Sequence, residues 1–270
     1  ASAPLLWAAT GMHIPALIQE QNGFAGLTNK KLGSRVQCIC VAYEGMERFF
    51  PADRIVMTGN PIRSIIVPAT PEMKAEGVKE YGLDPARKHI FIVGGSLGSS
   101  RFNQCMRKWI SDGCPGLDGV DVLWQCGKYY KHGVDEFMKE QREKNPDALR
   151  HIHYSDFIGR MELAYAAADV VVSRSGASSV SELCAAHKAV IFIPSPNVAE
   201  DHQTHNAMAL VKKDAAVIVK DSEAMDKMIP TALELLKDPG RIATLEENAG
   251  KMALPDAAGK IAEEGYKLIK

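Results

Sequence analysis

The sequence predicts an α/β fold in which helices cover a parallel β-sheet. Strand-like and helix-like segments alternate along most of the 270 residues, which is typical of βαβ units. Two predicted strands, over residues 89–93 and 170–172, each run into a turn of small residues that opens a helix. Such strand–turn–helix units are characteristic of doubly wound sheets. The length suits one large domain or two modest ones.

The first 60 residues contain only part of such a fold. In order, they predict a helix that ends near residue 9, a strand over 14–18, a helix over 25–32, a strand over 37–43, a short helix that ends at 50 and a strand over 55–58. Three strands are too few to close a domain, so we interpret residues 1–60 as the remnant of a larger α/β domain. Residues 61–71 hold three prolines and no helical period, which predicts a linker.

The alternation restarts after the linker, and residues 72–255 contain enough strands for a complete domain. The predicted strands cover 89–93, 120–125, 150–153, 170–172, 189–193 and 215–219. The predicted helices between them cover 72–81, 99–111, 131–144, 160–168, 177–186 and 202–213. Six strands with intervening helices predict a doubly wound sheet. The tail from residue 222 is mostly helical and ends in a helix over 256–270.

The bulk composition limits the classes of function. The net charge is −1, so no basic field for nucleic acid is evident. The sequence contains no run of about 18 apolar residues, so it predicts no membrane-spanning helix. The first residues lack the pattern of a signal peptide. The six cysteines form no C-x-x-C pair, so we expect reduced thiols. The pairs His151/His153 and His202/His205 lack a third ligand, so no metal site is predicted.

The turn after residues 170–172 is a candidate anion site. Its sequence, SRSGASSVSE, places small residues before a predicted helix with Glu182 in its first two turns. The free N–H groups of a helix N-terminus attract phosphate, and the carboxylate of Glu182 could accept hydrogen bonds from sugar hydroxyls. The alternative is an ordinary βα turn with a surface glutamate.

The turn after residues 89–93 supports two interpretations. The residues GGSLG fit G-x-S-x-G, the nucleophile elbow of serine hydrolases, with Ser96 as nucleophile and His202 and Asp169 as partners. They equally fit a glycine loop whose N–H groups and Ser96 hydroxyl hold a phosphate. A second anion-seeking turn at 173–176 favours the phosphate interpretation, because two helix N-termini can share one diphosphate.

Other candidates follow strand ends or flank the linker. Gln203 would point into the crevice and contact sugar hydroxyls, whereas its neighbour Asp201 could simply be an N-cap. The stretch Phe157-Ile158-Gly159 also follows a strand end, and its apolar residues could cover a flat base or cap the core. Asn22 could be only a turn residue, and Arg63 either a solvated charge or a cation that neutralises phosphate at an interdomain hinge.

Taken together, these motifs resemble those of one enzyme family. The stretches QEQNGFAGLTNK, VAYEGMERFFP, TGNPIR, VGGSLGS, SRSGASSVSE and EDHQ occur in this order along nearly the whole chain. They resemble the peptidoglycan glycosyltransferases that add N-acetylglucosamine to undecaprenyl-pyrophosphoryl-N-acetylmuramoyl-pentapeptide (lipid I) to form lipid II. The resemblance implies the GT-B arrangement of two Rossmann-like domains: one complete domain here, and the C-terminal remnant of the N-terminal, acceptor-side domain.

The resemblance also implies roles for individual residues. Ser96 would meet the diphosphate of UDP-N-acetylglucosamine, Ile158 would offer its backbone to the uracil, and Gln203 would contact the sugar. Asn22 and Arg63 would close on the donor from the other domain and the hinge. The nucleotide would be gripped by a turn and helix made of Ala177, Ser178, Ser179, Val180, Ser181 and Glu182, with Glu182 on the ribose. The implied reaction is inverting and needs no metal or cofactor.

The sequence departs from the family pattern at several points. Gln19 stands where the family often has His, and Gly159 where it often has Asp. The GGTGGH-type loop, which carries the suspected general base, and the membrane-binding apolar patch are absent from the sequence. We therefore expect a fragment that binds the donor weakly, lacks most of the lipid I site and turns over poorly, with its catalytic residues unknown. The resemblance implies a cytoplasmic location, with the full-length protein peripheral on the cytoplasmic face of the inner membrane, which it would contact through the missing N-terminal segment.

Three alternatives remain at the level of the sequence. The first is a serine hydrolase that uses Ser96. The second is a UDP-N-acetylglucosamine 2-epimerase of the same fold, for which we would expect other catalytic acids and histidines. The third is a non-catalytic module that binds a nucleotide sugar.

Overall fold

The computed structural model describes residues 3–269. Ala1 and Ser2 of the predicted first segment, and Lys270 of the predicted last helix, lie outside the described residues. The chain forms two parallel sheets, one of three strands and one of six. The three-stranded sheet belongs to residues 1–60 and the six-stranded sheet to the segment after the predicted linker.

The smaller sheet has strands in the order β1-β2-β3. Its elements are α1 (Ala3–Gly11), β1 (Leu17–Glu20), α2 (Leu27–Leu32), β2 (Cys38–Val41) and β3 (Ile55–Met57). The strand predicted over 14–18 is wrong by three residues at its start, because Pro15 has no N–H to give to a ladder. The short helix predicted before residue 50 is a single 3₁₀ turn, Met46–Arg48.

The larger sheet has strands in the order β6-β5-β4-β7-β8-β9, all parallel. Its strands are β4 (Lys88–Val93), β5 (Val120–Gln125), β6 (Ile152–Ser155), β7 (Val170–Ser173), β8 (Val190–Phe192) and β9 (Val217–Ile218). The helices that follow the smaller sheet in the chain are α3 (Pro71–Glu80), α4 (Ser100–Ser111), α5 (Lys131–Lys144), α6 (Pro146–Leu149), α7 (Met161–Ala167), α8 (Ala177–Ala185), α9 (His202–Val211), α10 (Ala224–Leu236), α11 (Pro239–Lys251) and α12 (Ala257–Lys267). The predicted doubly wound sheet is therefore confirmed.

Two predicted strands are misplaced or too long. The strand predicted over 150–153 lies over Ile152–Ser155, because the unpredicted helix α6, capped by Asn145, and the turn after it occupy the preceding residues. The strand predicted over 215–219 shortens to Val217–Ile218, which form one edge of the sheet.

The alternation of side chains along β4 builds a core on each face of the larger sheet. Ile90 and Ile92 face one way and pack in a cluster with Phe102 of α4. Phe91 faces the other way, in a cluster with Leu183 of α8. Because both faces are covered, the central strand β7 is buried at every residue.

The strand order fixes where a ligand can bind. The chain leaves β4 towards β5 and leaves β7 towards β8, so the two neighbouring strands form a topological switch point. A crevice opens at such a point, outside the carboxyl ends of the strands. The segments that follow β4, β6, β7 and β8 all leave this same edge of the sheet. They hold Ser96 and Ile158 in loops, and Ala177 and Gln203 in the first turns of α8 and α9.

The remaining sequence expectations concern membranes and thiols. Within residues 3–269 no helix is long and apolar enough to cross a bilayer. All six cysteines are free and buried, as the prediction of reduced thiols requires.

Candidate functional site

Close backbone packing explains the glycines in the loop after β4. A Cβ on Gly98 would lie 2.4 Å from the carbonyl oxygen of Cys126, and a Cβ on Gly127 would lie 2.3 Å from that of Leu97. The loops after β4 and β5 therefore touch through their backbones, and only glycine fits at these two positions. This contact holds the loop residue Ser96 in an exposed position at the carboxyl edge of the sheet.

The geometry does not support Ser96 as a hydrolase nucleophile. The proposed acid, Asp169, precedes β7 and therefore lies at the amino edge, where it accepts hydrogen bonds from Lys74 and from the backbone of His89. One strand of four residues, about 13 Å long, separates that edge from the carboxyl edge. The proposed base, His202, bonds the carbonyl oxygen of Ala199 through Nδ1 instead. The structure thus does not assemble the hydrolase triad.

The N-terminus of α8 is free to bind an anion. Its N-cap, Gly176, has no side chain, and no side-chain cap is present. The first backbone N–H of the helix that donates a hydrogen bond within it is that of Val180, which bonds the carbonyl oxygen of Gly176. The backbone N–H groups of Ala177, Ser178 and Ser179 therefore point out of the helix end, where the helix dipole is positive.

The side chains later in α8 serve different purposes. Val180 is buried in the core, so only its backbone can meet a ligand. The hydroxyl of Ser181 accepts a hydrogen bond from Asn60 Nδ2 at 3.1 Å, which joins α8 to the end of the smaller sheet.

Glu182 is held by two partners. Arg63 donates from Nε and Nη2 to Oε1 at 3.0 and 2.9 Å, and from Nη2 to Oε2 at 3.1 Å. The buried phenol of Tyr165 donates to Oε2 at 3.3 Å. Burial, and after it the neighbouring carboxylate, raises the pKa of Tyr165 well above its usual value, so the phenol stays a donor. Two predicted site residues, Arg63 and Glu182, are thus brought into direct contact.

Asn22 contacts the larger domain through a residue that sequence reasoning missed. Asn206, fully buried on α9, donates from Nδ2 to Asn22 Oδ1 at 3.0 Å and to the carbonyl oxygen of Ser175 at 3.1 Å. Its Oδ1 accepts from Gly23 N at 2.8 Å. One amide therefore ties the loop after β1 to the loop after β7. Its only sequence signal is its spacing of three residues from Gln203 on one helix.

Among residues 3–269, the side-chain amide of Gln203 is hydrogen-bonded through its oxygen only. Its Oε1 accepts from Ser195 N at 2.8 Å, and its carbonyl oxygen accepts from Ser175 Oγ at 2.8 Å. Its Nε2 donates to no other group in the described chain, so it can reach a ligand. The preceding residues, Glu200 and Asp201, have left-handed φ values of 55° and 47°. Asp201 sits at the N-cap but caps no N–H, and its carboxylate accepts from Thr204 instead.

Ile158 caps the core with its side chain, which is 3% exposed. It therefore cannot cover a base with that side chain, whereas Phe157 beside it is half exposed. Neither the N–H nor the carbonyl oxygen of Ile158 bonds another group within residues 3–269. The backbone of Ile158 can thus read the polar edge of a base.

A second missed residue, Arg174, joins four loops at this edge. Nη1 donates to the carbonyl oxygens of Ile193 and Pro194 at 2.8 and 3.1 Å and to Asp221 Oδ1 at 2.7 Å. Nη2 donates to Ser99 Oγ at 3.0 Å. Its side chain is 13% exposed, so the guanidinium acts as an internal brace beneath the crevice.

The histidine pairs have other partners. His151 Nδ1 lies 2.9 Å from Asp121 Oδ1, and His153 Nε2 lies 3.7 Å from Oδ2 of the same carboxylate. His205 stacks on Phe24. In the described part of the chain, no group of three or more His, Cys, Asp or Glu side chains could hold a metal ion.

Comparison with known proteins places this chain in a family. The profile of the glycosyltransferase family 28 C-terminal domain matches residues 89–261. A UDP-N-acetylglucosamine–N-acetylmuramyl-(pentapeptide) pyrophosphoryl-undecaprenol N-acetylglucosamine transferase from Bacteroides thetaiotaomicron is 48% identical over the whole chain, which spans 71% of that relative. A protein of the same name from Parabacteroides distasonis is 47% identical, and the chain spans 71% of its length. The crystal structure of Acinetobacter baumannii MurG superposes with a TM-score of 0.76 at 27% identity, over 98% of this chain and 70% of that one.

The paired parallel sheets and these matches define a glycosyltransferase of the GT-B fold class, an N-acetylglucosaminyltransferase. The chain belongs to the family of the UDP-N-acetylglucosamine–N-acetylmuramyl-(pentapeptide) pyrophosphoryl-undecaprenol N-acetylglucosamine transferases, enzymes of peptidoglycan synthesis. This membership confirms the resemblance seen in the sequence motifs and decides against the hydrolase and epimerase alternatives.

Proposed function

We propose that this chain binds UDP-N-acetylglucosamine at the carboxyl edge of the six-stranded sheet and serves its transfer to lipid I. The observation that carries the proposal is the uncapped N-terminus of α8 at the switch point, with Glu182 one and a half turns behind it. An anion at the helix end and a ribose beside the carboxylate would match a nucleoside diphosphate.

The diphosphate would be bound by two neighbouring loops. The N–H groups of Ala177, Ser178 and Ser179 supply donors from α8, and the exposed hydroxyl of Ser96 supplies one from the loop after β4. These groups are fixed before the ligand arrives, because Gly98 and Gly127 lock one loop and Arg174 braces both.

The ribose would bind Glu182, and this requires a change of partner. The carboxylate is occupied by Arg63 and Tyr165. We propose that Arg63, whose side chain is 48% exposed, turns from the carboxylate to the diphosphate when the donor binds. The exchange replaces one charge-assisted contact by another and frees an oxygen of Glu182 for the ribose hydroxyls.

The ends of the donor would be read by the backbone of Ile158 and the amide of Gln203. Ile158 would bind the uracil edge, and Gln203 Nε2 would donate to a sugar hydroxyl. Asn22 would approach from the smaller sheet. In the proposed inverting, metal-independent reaction, the bond from sugar C1 to UDP breaks as an acceptor oxygen bonds to C1 from the opposite face. The acceptor proton goes to a base that none of these residues supplies.

We further propose that the 270 residues alone bind the donor better than they turn it over. The sequence contains no GGTGGH-type glycine loop, the loop to which the family resemblance assigns the base. The proposed acceptor, lipid I, is a membrane lipid, so we propose that the full-length protein acts at the cytoplasmic face of the inner membrane. Robust transfer to a lipid I analogue by this chain would refute the part of the proposal that concerns turnover.

Calorimetry tests the donor site directly. UDP-N-acetylglucosamine and UDP-glucose are titrated into the wild type, Glu182→Gln and the control Glu143→Ala, which removes an exposed glutamate of α5. Loss of a charged hydrogen-bond partner weakens binding by about 10- to 100-fold, so Glu182→Gln should bind at least tenfold more weakly and the control should bind normally. Wild-type protein that binds neither sugar nucleotide would overturn the proposal. Equal affinity for the two would remove the role of Gln203.

A further inference from the structure

Tyr165 places a hydroxyl group in a largely apolar part of the core. It lies on α7, is 2% exposed and belongs to the cluster that holds Phe91 and Leu183. Its ring packs edge-on against that of Phe91, with centroids 6.0 Å apart. A phenylalanine would supply the same ring contacts, and burying a hydroxyl is unfavourable unless it is hydrogen-bonded. What the hydroxyl adds is therefore its contact with its partner.

That partner is the carboxylate of Glu182. The phenol of Tyr165 donates to Oε2 at 3.3 Å, and within residues 3–269 it has no other hydrogen-bond partner. Burial raises the pKa of this phenol well above its usual value, so it stays protonated and always donates. If Glu182 turned away, a buried O–H would be left unpaired, which is costly. The contact with Tyr165 thus holds Oε2 in place.

The two carboxylate oxygens of Glu182 differ in the partners that remain once Arg63 leaves. Within the described chain, Oε1 accepts only from Nε and Nη2 of Arg63, at 3.0 and 2.9 Å. Oε2 accepts from Nη2 of Arg63 at 3.1 Å and also from Tyr165. Departure of Arg63 would therefore free Oε1 and leave Oε2 bonded, so Oε1 is the oxygen available to a ligand.

A glutamate needs a fixed point to present one oxygen in a defined direction. The terminal torsion of its side chain is broad, so the rotamer of Glu182 does not fix the plane of the carboxylate. Tyr165 supplies that point from α7, which begins at Met161, just after Ile158. The phenol therefore ties the carboxylate to the segment whose backbone is proposed to read the uracil.

We infer that Tyr165 is a positioning residue for donor binding, which holds Oε2 of Glu182 so that Oε1 faces the ribose hydroxyls. This role rests on the proposed donor site, to which it adds the oxygen that binds and the residue that orients it. Tyr165 acts only through Glu182, since its own side chain is buried. Its contribution should therefore be specific to nucleotides that carry ribose hydroxyls.

Nucleotides with and without ribose hydroxyls test this role. UDP and 2′,3′-dideoxy-UDP are titrated by calorimetry into the wild type and Tyr165→Phe. The wild type should bind UDP about tenfold or more tightly than the dideoxy compound, because hydrogen bonds to a carboxylate are charge-assisted. Tyr165→Phe should reduce this preference by about three- to tenfold, through weaker binding of UDP and unchanged binding of the dideoxy compound.

A control and a double variant show whether Tyr165 acts through the carboxylate. Tyr154→Phe removes a hydroxyl that donates to Asp135 on α5 and should keep the wild-type preference. Glu182→Ala removes both oxygens, so it should lower the preference and leave Tyr165 nothing to position. Addition of Tyr165→Phe to Glu182→Ala should then change the preference by less than about twofold, a non-additive result.

The outcomes for this role and for the donor site itself can be told apart. A wild type that shows no preference for UDP would overturn the ribose contact of Glu182 and, with it, the role of Tyr165. A wild-type preference that Tyr165→Phe retains in full would overturn the role of Tyr165 alone. Equal weakening of both nucleotides in Tyr165→Phe would do the same, because a residue that only stabilises the fold affects both. So would a further loss of preference in the double variant.

Discussion

Arg63 and Glu182 lie 119 residues apart in sequence and share a bidentate ion pair with contacts of 2.9–3.1 Å. The pair fastens the segment between the two sheets to α8. The guanidinium of Arg63 also occupies the carboxylate of Glu182, which we assign to the ribose of the donor. Glu182 is nearly buried and Arg63 is half exposed, so the arginine is the partner that can move.

Removing the arginine should therefore affect two ligands in opposite directions. In Arg63→Ala, Glu182 loses its competing cation, so uridine, which has a ribose but no phosphate, should bind as well as before or several-fold more tightly. UDP should bind about tenfold more weakly, because the cation proposed for its diphosphate is gone. Calorimetry with both ligands measures the two affinities.

Arg142→Ala, which removes an exposed arginine of α5, serves as the control and should change neither affinity. A parallel loss of uridine and UDP binding in Arg63→Ala would contradict the exchange of partners. It would mean that Arg63 only holds Glu182 in position for the ribose.

Local pattern was enough to predict the elements that position the site. The strand over 120–125 and the helix over 131–144 coincide with β5 and α5, because a short, mostly apolar run and a helical period are encoded by neighbouring residues. The turn before α8 was equally predictable, since serine and glycine after a buried strand favour a turn. Even local reasoning missed the effect of Pro15 on β1 and the short helix α6.

Contacts between distant segments could not be predicted in the same way. Asn206 bonds Gly23 across 183 residues, and Arg174 reaches Asp221 and Ser99 from a different loop. These contacts depend on the order of strands in the sheet and on how the two halves meet, which no local window contains. Similarly, the sequence offered Ile158 as either a base cover or a core cap, and only its burial shows that the side chain caps the core.

The glycines after β4 should differ sharply in their tolerance of alanine. Gly98 has φ of +78° and a Cβ there would meet Cys126 O at 2.4 Å, whereas Gly95 has φ of +92° and open space. We expect Gly95→Ala to lose about 1 kcal/mol of unfolding free energy from left-handed strain alone. Gly98→Ala should lose about 3 kcal/mol, because overpacking adds to the strain. Urea denaturation of both variants measures the difference, and equal losses would show that the loops after β4 and β5 do not press together.

The brace formed by Arg174 should contribute much more to stability than a surface ion pair. Arg174→Met leaves the nearly buried carboxylate of Asp221 with fewer partners, so the unfolding free energy should fall by about 3 kcal/mol. In a cycle with Asp221→Asn, the coupling between the two sites should exceed about 1 kcal/mol. Lys108→Met, which breaks the exposed pair with Asp112, should cost less than about 0.5 kcal/mol. Additive losses in the cycle would show that Arg174 acts only through the carbonyl oxygens that it binds.

Protonation of His153 should make the protein less stable in mild acid. Burial lowers the pKa of His153 below its usual 6.5, although Asp121 opposes the shift. The unfolded chain therefore binds this proton more readily than the folded one. The contribution of neutral His153 to the unfolding free energy is fully present above pH about 6.5, and it is lost as the pH falls through the pKa of the folded state. His153→Gln, which cannot titrate, should flatten the decline in unfolding free energy between pH about 7 and 5.5, as measured by urea denaturation at each pH. His132→Gln changes a histidine that is 87% exposed and should keep the wild-type slope. An unchanged slope in His153→Gln would assign the acid sensitivity to another group.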